Sequence, residues 1–222
     1  MAIAFDAFTS STGGTGDYSF SHTPVGTPKG VIVYVIFNGA AIGISGVTYG
    51  GVAMAEQANS PASNLTGELG ASHCFFLGAS IPSGMQTVAI DVTLGTEVSV
   101  AGCVTVTAAN DTSVVTTGKV ESNSQANPAV TLSLGGVSSF CMLGAWDGIG
   151  TVIAPFTDWT ERFEHDFGNQ LGYIATYNVI GTTDVSAGYT RGADDVALHA
   201  IAVRESAGGA TTVKTLAALG VG

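Results

Sequence analysis

Gly30-Val-Ile-Val-Tyr-Val-Ile-Phe37 is apolar on both faces of an extended chain, and its reading decides the fold. Val, Ile, Tyr and Phe suit a pleated surface. A short unbroken apolar run set between turn residues reads as a central strand covered on both sides. It is far too short to span a bilayer as a helix. Upstream, Thr23 to Gly30 holds Pro24, Gly26, Pro28 and Gly30, a turn-rich connection, and Asp17 to His22 reads as the strand before it. Downstream, Ile44 to Tyr49, Gly50-Gly51 and Val52 to Gln57 read as a hairpin, because Gly-Gly supplies the positive φ angles of a two-residue turn.

The same punctuation continues to residue 205. Asn59 to Ala71 is small and polar and reads as a loop. His73 to Leu77, Met85 to Leu94, Val98 to Ala108, Thr112 to Ser122, Val130 to Leu134 and Ser139 to Trp146 read as strands. Asp158 to Phe167 fits both a helical spacing of four and strict alternation, and its strand-like flanks favour a strand. Gly172 to Ile180 and Thr183 to Thr190 read as a pair joined at Gly181, and Val196 to Val203 closes the series. About a dozen strands punctuated in this way imply a sandwich or barrel. No repeat of fixed period is visible. We therefore expect an all-β chain: an N-terminal arm over residues 1–16, one antiparallel β-sandwich of two stacked sheets over 17–205, and a Gly-rich linker with an apolar tail over 206–222. The expected core is Val33, Val35, Val47, Phe76, Val88, Ile90, Val104, Val106, Leu143, Trp146, Ile174, Leu198 and Ile201.

Composition agrees. Of 222 residues, 31 are Gly, about twice the average usage of roughly 7%, which signals many tight turns. Charged residues are only 10%, against about 25% in an average soluble domain, so Ser, Thr, Asn and Gly must build the surface. The net charge of −11 repels phosphate backbones and anionic membranes, so neither nucleic acid nor membrane is an expected partner. Cys74, Cys103 and Cys141 lie in apolar runs, odd in number and widely spaced, which fits buried free thiols and a reducing cytoplasm rather than disulfides or zinc. Met1 to Phe8 lacks the basic region and long apolar core of a signal peptide.

The chemistry-bearing residues are scattered. His22, His73, His165 and His199 share no metal-binding spacing, and no nucleophile elbow, phosphate loop or dinucleotide fingerprint occurs. No catalytic residue and no cofactor is assigned. Three minor expectations remain. Asp194 and Asp195 are calcium candidates. Trp146, Trp159, Tyr173, Tyr177 and Tyr189 are aromatic platforms for a surface glycan, with Trp159 and Tyr189 foremost. Glu161, Glu164 and Asp166 offer the paired carboxylates of a glycan-cleaving enzyme, although charges on an edge strand also block unwanted pairing.

Several motifs, in order, resemble a group of phage and bacterial proteins with concanavalin-like or jelly-roll sandwiches. They are Tyr18-Ser-Phe-Ser-His-Thr-Pro-Val-Gly-Thr-Pro-Lys-Gly-Val-Ile-Val33, Val47-Thr-Tyr-Gly-Gly-Val-Ala-Met54, Ile81-Pro-Ser-Gly-Met-Gln-Thr-Val-Ala-Ile-Asp-Val92, Asp158-Trp-Thr-Glu-Arg-Phe163 and Asp195-Val-Ala-Leu-His-Ala-Ile-Ala-Val-Arg204. The resemblance implies a jelly roll and a non-enzymatic bacteriophage virion surface protein, assembled in the host cytoplasm, such as a capsid decoration protein. A tail-fibre or adhesin-type carbohydrate-binding module is the alternative. The expected partners are further copies of the chain and other virion proteins. Ile3, Phe5 and Phe8 in the arm and Leu216 and Leu219 in the tail are the expected assembly contacts.

Overall fold

The computed structural model describes residues 2–39, 43–64, 66, 69–94, 98–148 and 153–206, and every regular element among them is a β-strand. The first half of the chain forms β1 (Ala4–Gly14), β2 (Tyr18–His22), β3 (Gly30–Asn38), β4 (Gly43–Tyr49), β5 (Val52–Ala53), β6 (Ala55–Glu56), β7 (Ala62–Asn64), β8 (Gly70–Leu77), β9 (Gln86–Leu94) and β10 (Val98–Thr107). The second half forms β11 (Thr112–Gln125), β12 (Ala129–Leu132), β13 (Phe140–Asp147), β14 (Ala154–Pro155), β15 (Trp159–Asp166), β16 (Leu171–Tyr177), β17 (Val185–Thr190) and β18 (Asp194–Glu205).

Instead of two stacked sheets there are four, all antiparallel. The first half contributes an inner sheet, β1-β10-β3-β8-β6 with β7 also on β8, and an outer sheet, β2-β9-β4-β5. The second half contributes an inner sheet, β11-β18-β13-β16-β15, and an outer sheet, β12-β17-β14. The two inner sheets face each other, and each outer sheet covers the far side of its own inner sheet.

Side-chain alternation explains the stacking. Along β3, Ile32, Tyr34 and Ile36 enter the central cluster between the inner sheets, while Val31, Val33, Val35 and Phe37 enter the first-half cluster under the outer sheet. Along β13, Phe140, Met142 and Trp146 face the centre, and Cys141, Leu143 and Ala145 face the second-half outer sheet. Each large apolar side chain buried this way contributes about 1.5–3 kcal/mol. All thirteen expected core residues are buried, divided among three clusters. Periodicity reports that a strand is covered on both faces, but not how many sheets do the covering.

The strand order repeats although the sequence does not. Numbering strands within each half, and counting β5 to β7 as one fifth segment, both inner sheets contain the order first-eighth-third-sixth, and both outer sheets contain second-seventh-fourth. The halves differ at the fifth segment. In the first half it leaves the outer sheet as β5 and rejoins the inner sheet as β6, whereas in the second half β15 belongs wholly to the inner sheet. In the face-to-face stack β1 lies beside β15 and β7 beside β11, so the first strand of each half borders the fifth segment of the other.

Three local expectations are corrected. The N-terminal arm is strand β1, paired from Ala4↔Thr107 to Gly14↔Ser99. A register shift between Phe5 and Ala7 breaks its alternation and hides the strand from a period-2 reading. The pair expected across Gly181 is not a hairpin: β16 lies in the inner sheet and β17 in the outer one. The polar stretch Asn59 to Ala71 carries β7 and the start of β8. The turn at Gly50-Gly51 forms as read, with φ of 57° and 78° at the two glycines, but its second arm is shorter than Val52 to Gln57: only Val52–Ala53 pairs back on β4, and Ala55–Glu56 crosses to β8. At the other end Ser206 N–H donates to Asp111 O, while Leu216 and Leu219 lie outside the described residues.

Candidate functional site

The aromatic residues expected to face a glycan divide sharply. Trp146, Tyr173 and Tyr189 are fully buried. The Tyr189 hydroxyl donates to Asp147 Oδ2 at 2.7 Å, and the Trp146 indole N–H donates to Asn38 Oδ1 at 3.1 Å across the two inner sheets. These three side chains are internal packing: Trp146 and Tyr173 stand on inner-sheet strands covered on both faces, and Tyr189 on the inward face of β17. Only Trp159 and Tyr177, paired across β15 and β16 with ring centroids 5.4 Å apart, reach a cavity.

Ile3 is buried in the central cluster, and Phe5 and Phe8 pack against it. The Arg162 guanidinium lies 4.1 Å over the Phe5 ring. These side chains are occupied within the chain rather than offered to a neighbour.

Asp194 and Asp195 serve a different ion. The carbonyl oxygens of both accept from Arg191 Nη2, at 2.8 and 3.0 Å. Arg191 Nε in turn sits 2.7 Å from Asp147 Oδ2, with both side chains fully buried. The Arg191 guanidinium thus brings a positive charge to these carbonyls, which opposes a calcium ion at the same oxygens. Among the described residues no group of three or more His, Cys, Asp or Glu is placed to hold a metal.

Glu161, Glu164 and Asp166 stand on β15, the edge of the second inner sheet. Burial, followed by the neighbouring Glu161 and Asp166 charges, pushes the Glu164 carboxyl above the usual range. Arg162 Nε donates to Thr176 Oγ1 at 2.8 Å. The dense charge of β15 therefore borders an open sheet edge, where it discourages pairing with another strand.

The buried histidines are tied into internal networks. His22 Nε2 lies 3.1 Å from Thr105 Oγ1, whose single proton goes to Asp6 Oδ2 at 2.8 Å. His22 therefore donates from Nε2 and accepts from Thr9 at Nδ1, the neutral tautomer. His199 Nε2 donates to Ala58 O at 3.0 Å, and its Nδ1 accepts from the Tyr34 hydroxyl at 3.0 Å. Burial lowers the pKa of both rings, that of His199 to about 4. His73 Nδ1 and Ser60 Oγ both donate to Glu56 Oε1, at 2.8 Å each, so the serine is not handed to an imidazole. The three thiols are buried, and burial raises all of them, Cys141 to about 12, which leaves them protonated and inert at neutral pH.

Two cavities formed by described residues are open to solvent. One, about 510 Å³, lies at the seam of the halves between Ala53–Gln57, Phe76–Ala79 and Thr112–Val114, and no charged side chain lines it. The other, about 320 Å³, opens between the two sheets of the second half. It is lined by Phe156, Thr157, Trp159, Tyr177, Asp184, Val185 and Ser186. Trp159 is fixed by its indole N–H, which donates to Ser186 O at 3.1 Å. Asp184 is fixed by Ser133 Oγ and Leu134 N–H, each at 2.9 Å. Asp158, in the left-handed region at φ 68°, turns the chain into Trp159. Sequence reasoning named Trp159 and Tyr177 but missed Phe156, Asp184 and Ser186, which come from two segments far apart along the chain.

Comparison with known proteins adds no relative: no family model, no curated protein and no solved structure matches the chain.

Proposed function

We propose that this chain is a non-enzymatic structural protein of a bacteriophage particle, built as two jelly rolls in tandem, with a place on the capsid surface as a decoration protein. The observation that carries the reading is the repeated strand order. Pairing first with eighth, second with seventh and third with sixth, then dividing the pairs between two facing sheets, is the winding of a jelly roll, an architecture used by capsid and lectin domains. Fold alone does not give function. The virion assignment therefore leans on the sequence resemblance to phage sandwich proteins.

The internal chemistry favours a scaffold. His22, His199, Asp147 and Arg191 bond to groups inside the chain and hold strands and halves together. Assembly contacts then fall to the outside. Val25 and Met85 are 86% and 68% exposed, in the segments that follow β2 and precede β9, beyond the His22–Gln86 pair that ends this ladder of the first outer sheet. We assign this apolar end as the contact with further copies or other virion proteins.

The test is to purify phage particles from a lysate expressing the chain and identify their proteins by mass spectrometry, alongside light scattering of the isolated chain. The expected result is a fixed copy number per particle, reduced at least tenfold by the double change Val25→Asp and Met85→Asp. A monomer that never accompanies particles, or turnover of a glycan by the purified chain, overturns the reading. A tail-fibre or adhesin role is the second reading, favoured by the aromatic cavity of the second half.

A further inference from the structure

We infer that the cavity walled by Phe156, Trp159, Tyr177 and Asp184 is a binding site for a neutral sugar ring. This inference does not depend on the virion assignment and stands or falls separately.

The cavity combines the two surfaces a pyranose needs. Part of its lining is an aromatic wall: the half-buried Phe156 and Tyr177 and the buried Trp159, with the Trp159 and Tyr177 rings tilted by 49°. The C–H face of a sugar ring packs against such a wall, and aromatic side chains with a fixed polar handle suit ligands that are apolar on one side and wet on the other. The polar part of the lining is Thr157, Asp184 and Ser186, all exposed. Each Asp184 oxygen already accepts one hydrogen bond, and a carboxylate oxygen has a second lone-pair site to offer a ligand hydroxyl. Charge-assisted bonds of this kind are the strong ones.

The site is also preorganised. The Trp159 indole is anchored by Ser186 O, Trp159 N–H donates to Phe156 O at 3.1 Å, and Asn178 N–H donates to Asp158 O at 2.7 Å. The lining thus needs little ordering when a ligand arrives, which removes one cost of binding. A volume of about 320 Å³ lies at the lower end of the range of roughly 300–1,000 Å³ for small-molecule pockets, suited to one or two sugar rings rather than a long chain.

Electrostatics selects among sugars. Asp184 lines the cavity, and Asp158 is close enough to help burial raise the Tyr177 pKa. The whole chain carries −11. Sialylated, uronic or phosphorylated sugars bring like charge to this wall and are rejected, and the same argument excludes nucleotides.

The experiment is saturation-transfer NMR on the intact chain with a panel of neutral oligosaccharides ending in glucose, galactose, mannose or N-acetylglucosamine, beside sialylated and phosphorylated counterparts. Binding of at least one neutral member is expected, with at least tenfold weaker binding by its anionic counterpart. Tyr177→Ala and Asp184→Asn should each weaken binding about tenfold or more, and the thermal unfolding midpoint identifies any variant that has lost its fold. Phe156→Leu provides a second aromatic-wall variant. No neutral binder at millimolar concentration, stronger binding of the anionic sugars, or binding that persists in folded Tyr177→Ala and Asp184→Asn variants overturns the inference.

Discussion

The two halves share a strand order and close it by different chemistry. Each half packs three aromatic rings among aliphatic side chains between its inner and outer sheets: Phe37, Tyr49 and Phe75 in the first, Trp159, Tyr173 and Tyr189 in the second. They differ in the polar groups they bury. In the first half the buried His22 is met by hydroxyls of Thr9 and Thr105, whereas the second half holds a fully buried Arg191–Asp147 ion pair. One winding thus tolerates two interiors. A sheet pair needs its volume filled and its polar groups partnered, and it does not specify by which residues. The second interior is the more fragile, since a buried charge without its partner costs far more than a missing methylene.

The largest effect should come from separating the halves. Expressed alone, residues 1–108 and 109–222 each expose the central cluster built by β3, β10, β13 and β18, and neither should be soluble and folded. Co-expression should restore a complex, scored by gel filtration. A soluble, cooperative single half would make the two units independent. Next, Asp147→Ala strands the Arg191 guanidinium and removes the Tyr189 acceptor, with an expected loss of about 3–5 kcal/mol in urea unfolding.

Stability should also depend on pH through His199, at the contact between the halves. Its folded pKa of about 4 lies below the ordinary 6.5, so the unfolded chain binds more protons between these values. The contribution is complete above pH 6.5, is lost as pH falls towards 4, and changes no further below that. Denaturant titrations at several pH values should show this slope, and His199→Gln should flatten it. The carboxylate Glu56, lowered first by its bond to His73, adds a loss at more acid pH that the variant retains.

A smaller effect is expected for Gly144→Ala. An added Cβ would lie 2.3 Å from the Tyr34 ring, which cannot swing away while its hydroxyl is held by His199. A destabilisation of about 1–3 kcal/mol is expected by chemical denaturation. Least of all, Ile90→Val in the uncharged core cluster of the first half should cost about 0.5–1.5 kcal/mol, far below Asp147→Ala. Equal costs at these two positions would erase the contrast between the interiors.

Much of the strand map was legible in the chain. The both-faced run at Gly30 to Phe37, the Gly50-Gly51 turn and the strand at Val196 to Val203 all stand as read. The strand at Asp158 to Phe167 was legible too, because its flanks resolved an ambiguous period. The strand β1 was not, since the shift at Phe5/Ala7 breaks the alternation that announces a strand. Of the candidate site, only the Trp159 and Tyr177 rings could be named. Asp184 and Ser186 face them only because β17 lies in the outer sheet and β15 and β16 in the inner one.

What the sequence determined by itself is local: which residues extend, where the chain turns, and which faces of a strand must be hidden. Those follow from side-chain shape and a period of two, both properties of neighbouring residues. Only the tertiary structure decided that four sheets stack where two were expected, that the strand order recurs, and that Arg191 finds Asp147 in the interior. These depend on contacts between residues far apart along the chain. Two strands with the same alternation satisfy the same hydrophobic demand against many partners, and the choice is made by the packing of the whole.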